Sequence, residues 1–193
     1  MSGLRATAIA ILLTAASWCA ATSAHAADAP AALHVSVAVC DADDVPPELL
    51  DVAERIAGEV YREIGVTIDW TDSACDVDER GLSVNVISRQ TCGAAVSDLT
   101  LGFAESGSSD ATVLYDRVEA FAHRYHVRRE VLLGYVMAHE LGHLLLPPNS
   151  HSPAGLMRAA IDLDLAAAKQ LRFTPQQGEL IVRKIEGVSV ATH

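Results

Sequence analysis

The sequence predicts a single α/β (α+β) domain, and three observations predict it. Short Val-rich alternating segments are interleaved with segments of helical period through the first two-thirds of the chain. A long apolar helix then stops at a Pro-Pro pair, neither of which can donate a helix hydrogen bond. Beyond the first 26 residues no repeat, linker or low-complexity stretch divides the chain.

The elements follow in order. Leu33 to Cys40 alternates and is rich in Val, which predicts a strand. Asp43-Asp44-Val45-Pro46-Pro47 turns the chain into a helix. Leu49, Val52, Ala53, Ile56, Val60 and Ile64 recur along it at helical spacing, and Gly65 ends it. Val66 to Trp70 predicts a second strand, Thr71 to Arg80 a polar loop and Leu82 to Ile87 a third strand. Leu101 to Ala104 predicts a short edge strand before a flexible Glu105 to Asp110 segment, and Ala111 to Tyr115 another strand. Tyr115-Asp116-Arg117 reads either as a surface turn or as a brace for a site. Val118 to His126 predicts a helix. The long helix runs from near Arg128 to about Leu146, with Val131, Leu132, Tyr135, Val136, Leu141, Leu144 and Leu145 supplying its buried surface. A last helix starts at Thr174, with Pro175 in its first turn and Leu180, Ile181 and Ile185 on its apolar face.

Met1 to Arg5 is short and weakly basic, Ala6 to Ala16 is apolar, and Ala24-His25-Ala26 sets small residues at a cleavage position. These features predict a signal peptide over 1–26, a domain over 27–193, and export to a periplasm or out of the cell. The apolar run is too short to span a bilayer and no later stretch is longer, so no membrane anchor is expected. The formal net charge is −11, and loss of Arg5 leaves 13 basic against 25 acidic residues. That balance argues against a nucleic-acid or anionic-membrane partner. Cys40, Cys75 and Cys92 follow the predicted cleavage point. Export permits one disulfide among them. Every pairing stays open, with Cys75–Cys92 the one that would clip the loop and strand between them.

His139-Glu140-Leu141-Gly142-His143 lies on the long helix. Two His four residues apart point the same way, because a helix turns once in about 3.6 residues. Their imidazoles can grip one Zn2+ together, while Glu140 can reach a water on it. Zinc in a hydrolytic site takes three protein ligands and keeps one position open. His151 is the best third candidate, since Pro147-Pro148 can fold the chain back beneath the helix. Asp162 and Asp164 are rival carboxylate ligands. His123 and His126 sit among Arg124, Arg128 and Arg129 and read as a solvated helix face.

From Val136 to Met157 the sequence resembles the metzincin clan of zinc peptidases, whose pattern is H-E-x-x-H-x-x-G-x-x-H followed by a turn carrying a Met. It looks most similar to small secreted bacterial metzincin-like proteins. The resemblance implies a twisted mixed sheet with an antiparallel edge strand, an active-site helix and a C-terminal helix. By the same resemblance His139, His143 and His151 ligate zinc. Glu140 is the general base that takes a proton from zinc-activated water and passes it to the leaving amine. Met157 is a hydrophobic floor, and Leu101 to Ala104 pairs with an extended peptide. The implied activity is that of a secreted, monomeric, zinc-dependent endopeptidase acting on peptide or protein substrates.

Two departures from the pattern stand out. Seven residues, Leu144 to Ser150, separate the second and third His, where the family has five. Leu146 stands where the family has Gly, so Pro147-Pro148 must end the helix, with Asn149 able to take a left-handed conformation. Asn149 holds the family's third-ligand spacing, but an amide oxygen is a poor zinc ligand. Ala159, two residues past the Met, replaces a Tyr found near the metal in some metzincins. A second reading is a non-catalytic exported zinc protein that uses the site for folding or partner binding. A third keeps the hydrolase but gives it a non-peptide amide substrate.

Overall fold

The computed structural model describes residues 33–41, 45–71, 81–88, 97, 99–105 and 107–190. Strands β1 (Leu33–Asp41), β2 (Val66–Thr71), β3 (Leu82–Ile87), β4 (Gly102–Ala104) and β5 (Asp110–Leu114) form one sheet, in the order β2-β1-β3-β5-β4. The first three pairings across this order are parallel, and the last, β5 with β4, is antiparallel. The expected mixed sheet with an antiparallel edge is therefore present. Helices α1 (Pro47–Arg62), α2 (Tyr115–Tyr125), α3 (Arg129–Leu145), α4 (Leu163–Ala167) and α5 (Pro175–Val190) complete the chain. Parallel β1 and β2 need a crossover, and α1 supplies it.

Alternation gives the sheet two unlike faces. Val39 lies opposite Val84, Val84 opposite Ala111, and Val35 opposite Ile68. Because side chains alternate, Val37, Val66, Val86 and Val113 share that face, and all four are fully buried. The other face carries His34, Asp69 and Asn85, and His34 Nδ1 meets Asp69 Oδ2 at 2.8 Å in solvent.

Pro47 opens α1 at its first turn, where a missing N–H costs nothing. Leu49, Ala53, Ile56, Ala57, Val60 and Tyr61 form its buried stripe. It packs across α3, of which only Arg129, Glu130 and His143 are not buried. A helix apolar on every side belongs inside a domain. The two helices approach closely at Gly134, where a Cβ would come within 2.6 Å of the Ala53 carbonyl oxygen. One turn later Tyr61 Oη, itself wholly buried, donates to the Ala138 carbonyl at 3.1 Å.

The structure differs from expectation at two elements. Helix α2 begins at Tyr115, directly from β5, so Tyr115-Asp116-Arg117 is helical and no turn intervenes. Leu114 remains extended at the junction, and Asp116 places a carboxylate at the positive end of the helix dipole. Helix α4 was not legible. It is nucleated by Asp162, whose carboxylate accepts from Leu165 N at 3.1 Å. The segment expected as a signal peptide, together with Cys75 and Cys92, lies outside the described residues. Among the described residues no helix is long and apolar enough to cross a membrane.

Candidate zinc site

Helix α3 sets His139 and His143 one turn apart near its C-terminal end. The helix then stops as its sequence requires. Leu146 is extended while its N–H still donates to Gly142 O at 2.9 Å, and Pro147-Pro148 follow. Asn149 adopts φ +62°, the left-handed turn expected of it. The chain reverses there and brings His151 back to the helix. The Nε2 atoms of His143 and His139 lie 3.1 Å apart, as do those of His143 and His151. The two extra residues ahead of His151 are absorbed in this turn. Asn149 makes the turn and His151 joins the cluster.

The surrounding hydrogen bonds fix how the rings face. His139 Nδ1 lies 2.8 Å from the Leu156 carbonyl, which can only accept, so Nδ1 carries the proton and Nε2 presents its lone pair. Ser150 Oγ lies 3.4 Å from His143 Nδ1. The loop bearing His151 is held from α5. Gln177 Nε2 donates to Ser150 O at 3.1 Å and to Ser152 Oγ at 3.2 Å, one on either side of the third His. Gln177 is in turn set by a reciprocal cap with Thr174. Lys184 Nζ donates to Leu144 O at 2.9 Å, satisfying a carbonyl freed by the end of α3.

Met157 lies under the site with no exposure. Gly142 permits this: a Cβ there would sit 2.6 Å from Met157 Sδ and 3.2 Å from Phe173 Cε1. Gly102, on edge strand β4, plays the same part above Glu140. A Cβ at Gly102 would lie 2.8 Å from Glu140 Oε1. Arg117, buried in α2, donates to Thr100 O at 2.8 Å and also to Ser97 O, tying down the segment that leads into β4. The surface-turn reading of Tyr115-Asp116-Arg117 is not realised, since the three residues are the first of α2.

Burial governs the protonation states. It pushes the Glu140 carboxyl up to about 8, and its carboxylate has no hydrogen-bond or ion-pair partner among the described residues. Burial, then the nearness of His139 and His151, lowers His143 to about 4. Burial also lowers His139, partly offset by its bond to Leu156. The imidazoles of His139 and His143 thus favour their neutral form and converge with that of His151, while the residue following His139 carries a buried carboxylate with no counter-charge among the described residues. Such an arrangement is costly without a cation. Tetrahedral zinc at about 2.0–2.1 Å from nitrogen sets its ligands about 3.3 Å apart. The 3.1 Å separations are near that, and the three-His group fits Zn2+.

Asp162 and Asp164 do not join the group. Asp162 is engaged by Arg158 at 2.9 Å and by the start of α4. His123 and His126 lie on exposed surface, as expected of a solvated helix face.

A mostly parallel sheet with an antiparallel edge strand thus lies against a helix that carries two of the three His, with the third on the loop that follows it. The chain matches no protein-family model and no curated protein sequence. Among solved structures it is similar to archaemetzincin from Methanopyrus kandleri, with a TM-score of 0.55 and 16% identity over 81% of this chain and 98% of that one. It is also similar to a zinc-dependent peptidase from Methanocorpusculum labreanum, with a TM-score of 0.54 and 13% identity over 75% of this chain and 99% of that one. At these identities the likeness is one of fold.

Proposed function

We propose that the chain is an exported zinc-dependent endopeptidase in which His139, His143 and His151 hold the metal and Glu140 is the general base. The observation that carries this reading is the convergence of the three Nε2 atoms, with the buried carboxylate that follows His139 left without a partner among the described residues. The likeness in fold to a zinc-dependent peptidase and to archaemetzincin supports peptide hydrolysis as the chemistry.

Zinc held there supplies a Lewis acid that polarises a carbonyl and makes water acidic enough to attack near neutral pH. The rest is done by the chain. Edge strand β4 is paired with β5 on one side and, among the described residues, unpaired on the other, where an extended peptide would add. Gly102 lets that strand lie directly over Glu140. Glu140 then takes a proton at a carboxylate oxygen and returns it to the leaving amine. Glu140 would be kept ionised for the first transfer by a dication held at the three His, against the upward push of burial.

The test is zinc content and peptide-library cleavage on wild type and Glu140→Gln. Each protein should hold about one zinc, because Glu140 is not a ligand. Cleavage by Glu140→Gln should fall at least about a hundredfold. Equal rates for the two would refute the assigned base, and stoichiometric zinc with no cleavage by wild type would refute the enzyme.

A further inference from the structure

A pocket of about 440 Å³ opens beside the zinc site. His143 forms part of its wall, and Leu144, Leu146, Pro147 and Leu180 make that wall largely apolar. The turn between β4 and β5 reaches it at Gly107, so the pocket touches both a metal ligand and the hairpin that carries the open strand edge. Lys184 brings the fixed charge. Its ammonium has three donors, and one is used on Leu144 O. Among the described residues no carboxylate pairs with it. An apolar slot with a spare cation complements one chemistry: a carboxylate on a short aliphatic arm.

We propose that this pocket is a substrate subsite that holds a carboxylate at Lys184. It rests on the peptidase reading above and adds the class of substrate to it. The methylene groups of the arm lie on Leu144, Pro147 and Leu180, and the carboxylate takes the two remaining ammonium donors. A glutamate side chain and the free C-terminus of a peptide both present this chemistry. The chain's own net charge of −11 opposes an acidic ligand at long range. That repulsion is screened over about 8 Å in physiological salt, so the adjacent Lys184 governs binding once the ligand has docked.

Binding is measured apart from cleavage on zinc-loaded Glu140→Gln protein. The probes are fluorescent alanine-rich decapeptides with one Glu moved along the sequence, the same set with Gln, and both sets with free or amidated C-termini. One Glu register, or the free C-terminus, should bind about fivefold or more tighter than its uncharged counterpart. The arm that shows the preference identifies the source of the carboxylate. Lys184→Gln, which keeps a donor for Leu144 O, should bring the ratio close to one. Lys184→Arg should retain it, and Lys184→Glu should reverse it toward Lys-containing peptides. A structural cap alone would not move this ratio. A ratio near one in every register and at both termini, an unchanged ratio in Lys184→Gln, or no peptide binding at all overturns the subsite. Cleavage by the Glu140 enzyme without carboxylate preference removes the subsite and leaves the peptidase. Lys184-dependent preference without cleavage does the reverse.

Discussion

Replacing Gly142 by Ala tests how closely the metal helix is fitted to the turn beneath it. On helix propensity alone the change should stabilise by about 1 kcal/mol. The structure predicts the opposite sign. The new methyl carbon would lie 2.6 Å from Met157 Sδ, with Phe173 Cε1 at 3.2 Å. Comfortable carbon contacts are about 3.5–4.0 Å, so the overlap with Met157 is about 1 Å. Met157 is wholly buried, and its sulfur can retreat only by displacing other core atoms. Overpacking of this kind costs about 1–3 kcal/mol, which leaves a net loss of up to about 2 kcal/mol after the propensity gain. A double-mutant cycle isolates the contact. Met157→Ala alone should cost about 2–5 kcal/mol. In the Gly142→Ala background it should cost at least about 1 kcal/mol less, because the added methyl takes up part of the space released. Urea unfolding of the zinc-free proteins in chelator, followed by circular dichroism, reads these terms without metal linkage. A Gly142→Ala protein more stable than wild type, or strict additivity in the cycle, would refute the packing described.

Three further outcomes follow from named contacts. Gln177→Leu removes both donors that pin the loop on either side of His151, so the zinc dissociation constant should rise about 10–100-fold as read by competition with a chromophoric chelator; a change under threefold would mean the loop holds itself. Gly134→Ala brings a Cβ to 2.6 Å from the Ala53 carbonyl, a backbone atom that can move only with α1, and should cost about 1–2 kcal/mol net in urea unfolding while zinc content stays the same; wild-type stability would show that the helices separate freely. Zinc at a hundred times its dissociation constant should add about 2.7 kcal/mol, or roughly 5–10 °C in melting temperature for a domain of this size. A melting temperature indifferent to chelator would count against a metal bound to the folded state.

Much of this was legible in the sequence, for local reasons. The strand alternation from Leu33, the helical period from Leu49 and the Pro-Pro stop each act within a few residues. So do the two His on one helix face and the left-handed Asn149, so pattern and structure agree there. His151 could be chosen over Asn149 because ligand chemistry, not spacing, decided it. What was missed depends on residues distant in the chain. The Thr174–Gln177 cap is visible as a pattern, yet nothing local says that Gln177 also reaches Ser150 and Ser152. Lys184 reaches Leu144 across 40 positions. The Leu156 carbonyl that orients His139 is a backbone group and has no sequence signature. Helix α4 is five residues long, shorter than its period can reveal, and its start signal, Asp162, was weighed as a metal ligand instead.

The clamp from α5 has a consequence for the order in which the protein matures. His139, His143 and His151 are all synthesised before Thr174, yet the two hydrogen bonds that tie the loop around His151 to α5 form only once Gln177 has docked. Until then the nascent chain holds two imidazoles on one helix and a third on a loop with only its local bonds, which should trap metal less tightly than the finished site. A ribosome stalled before Pro175, or a protease cut there, would yield a product with every ligand present and the assembly step undone. If the Gln177 clamp sets the affinity as predicted, high-affinity loading is tied to completion of the last helix, and the metal becomes a report that the whole domain has been built.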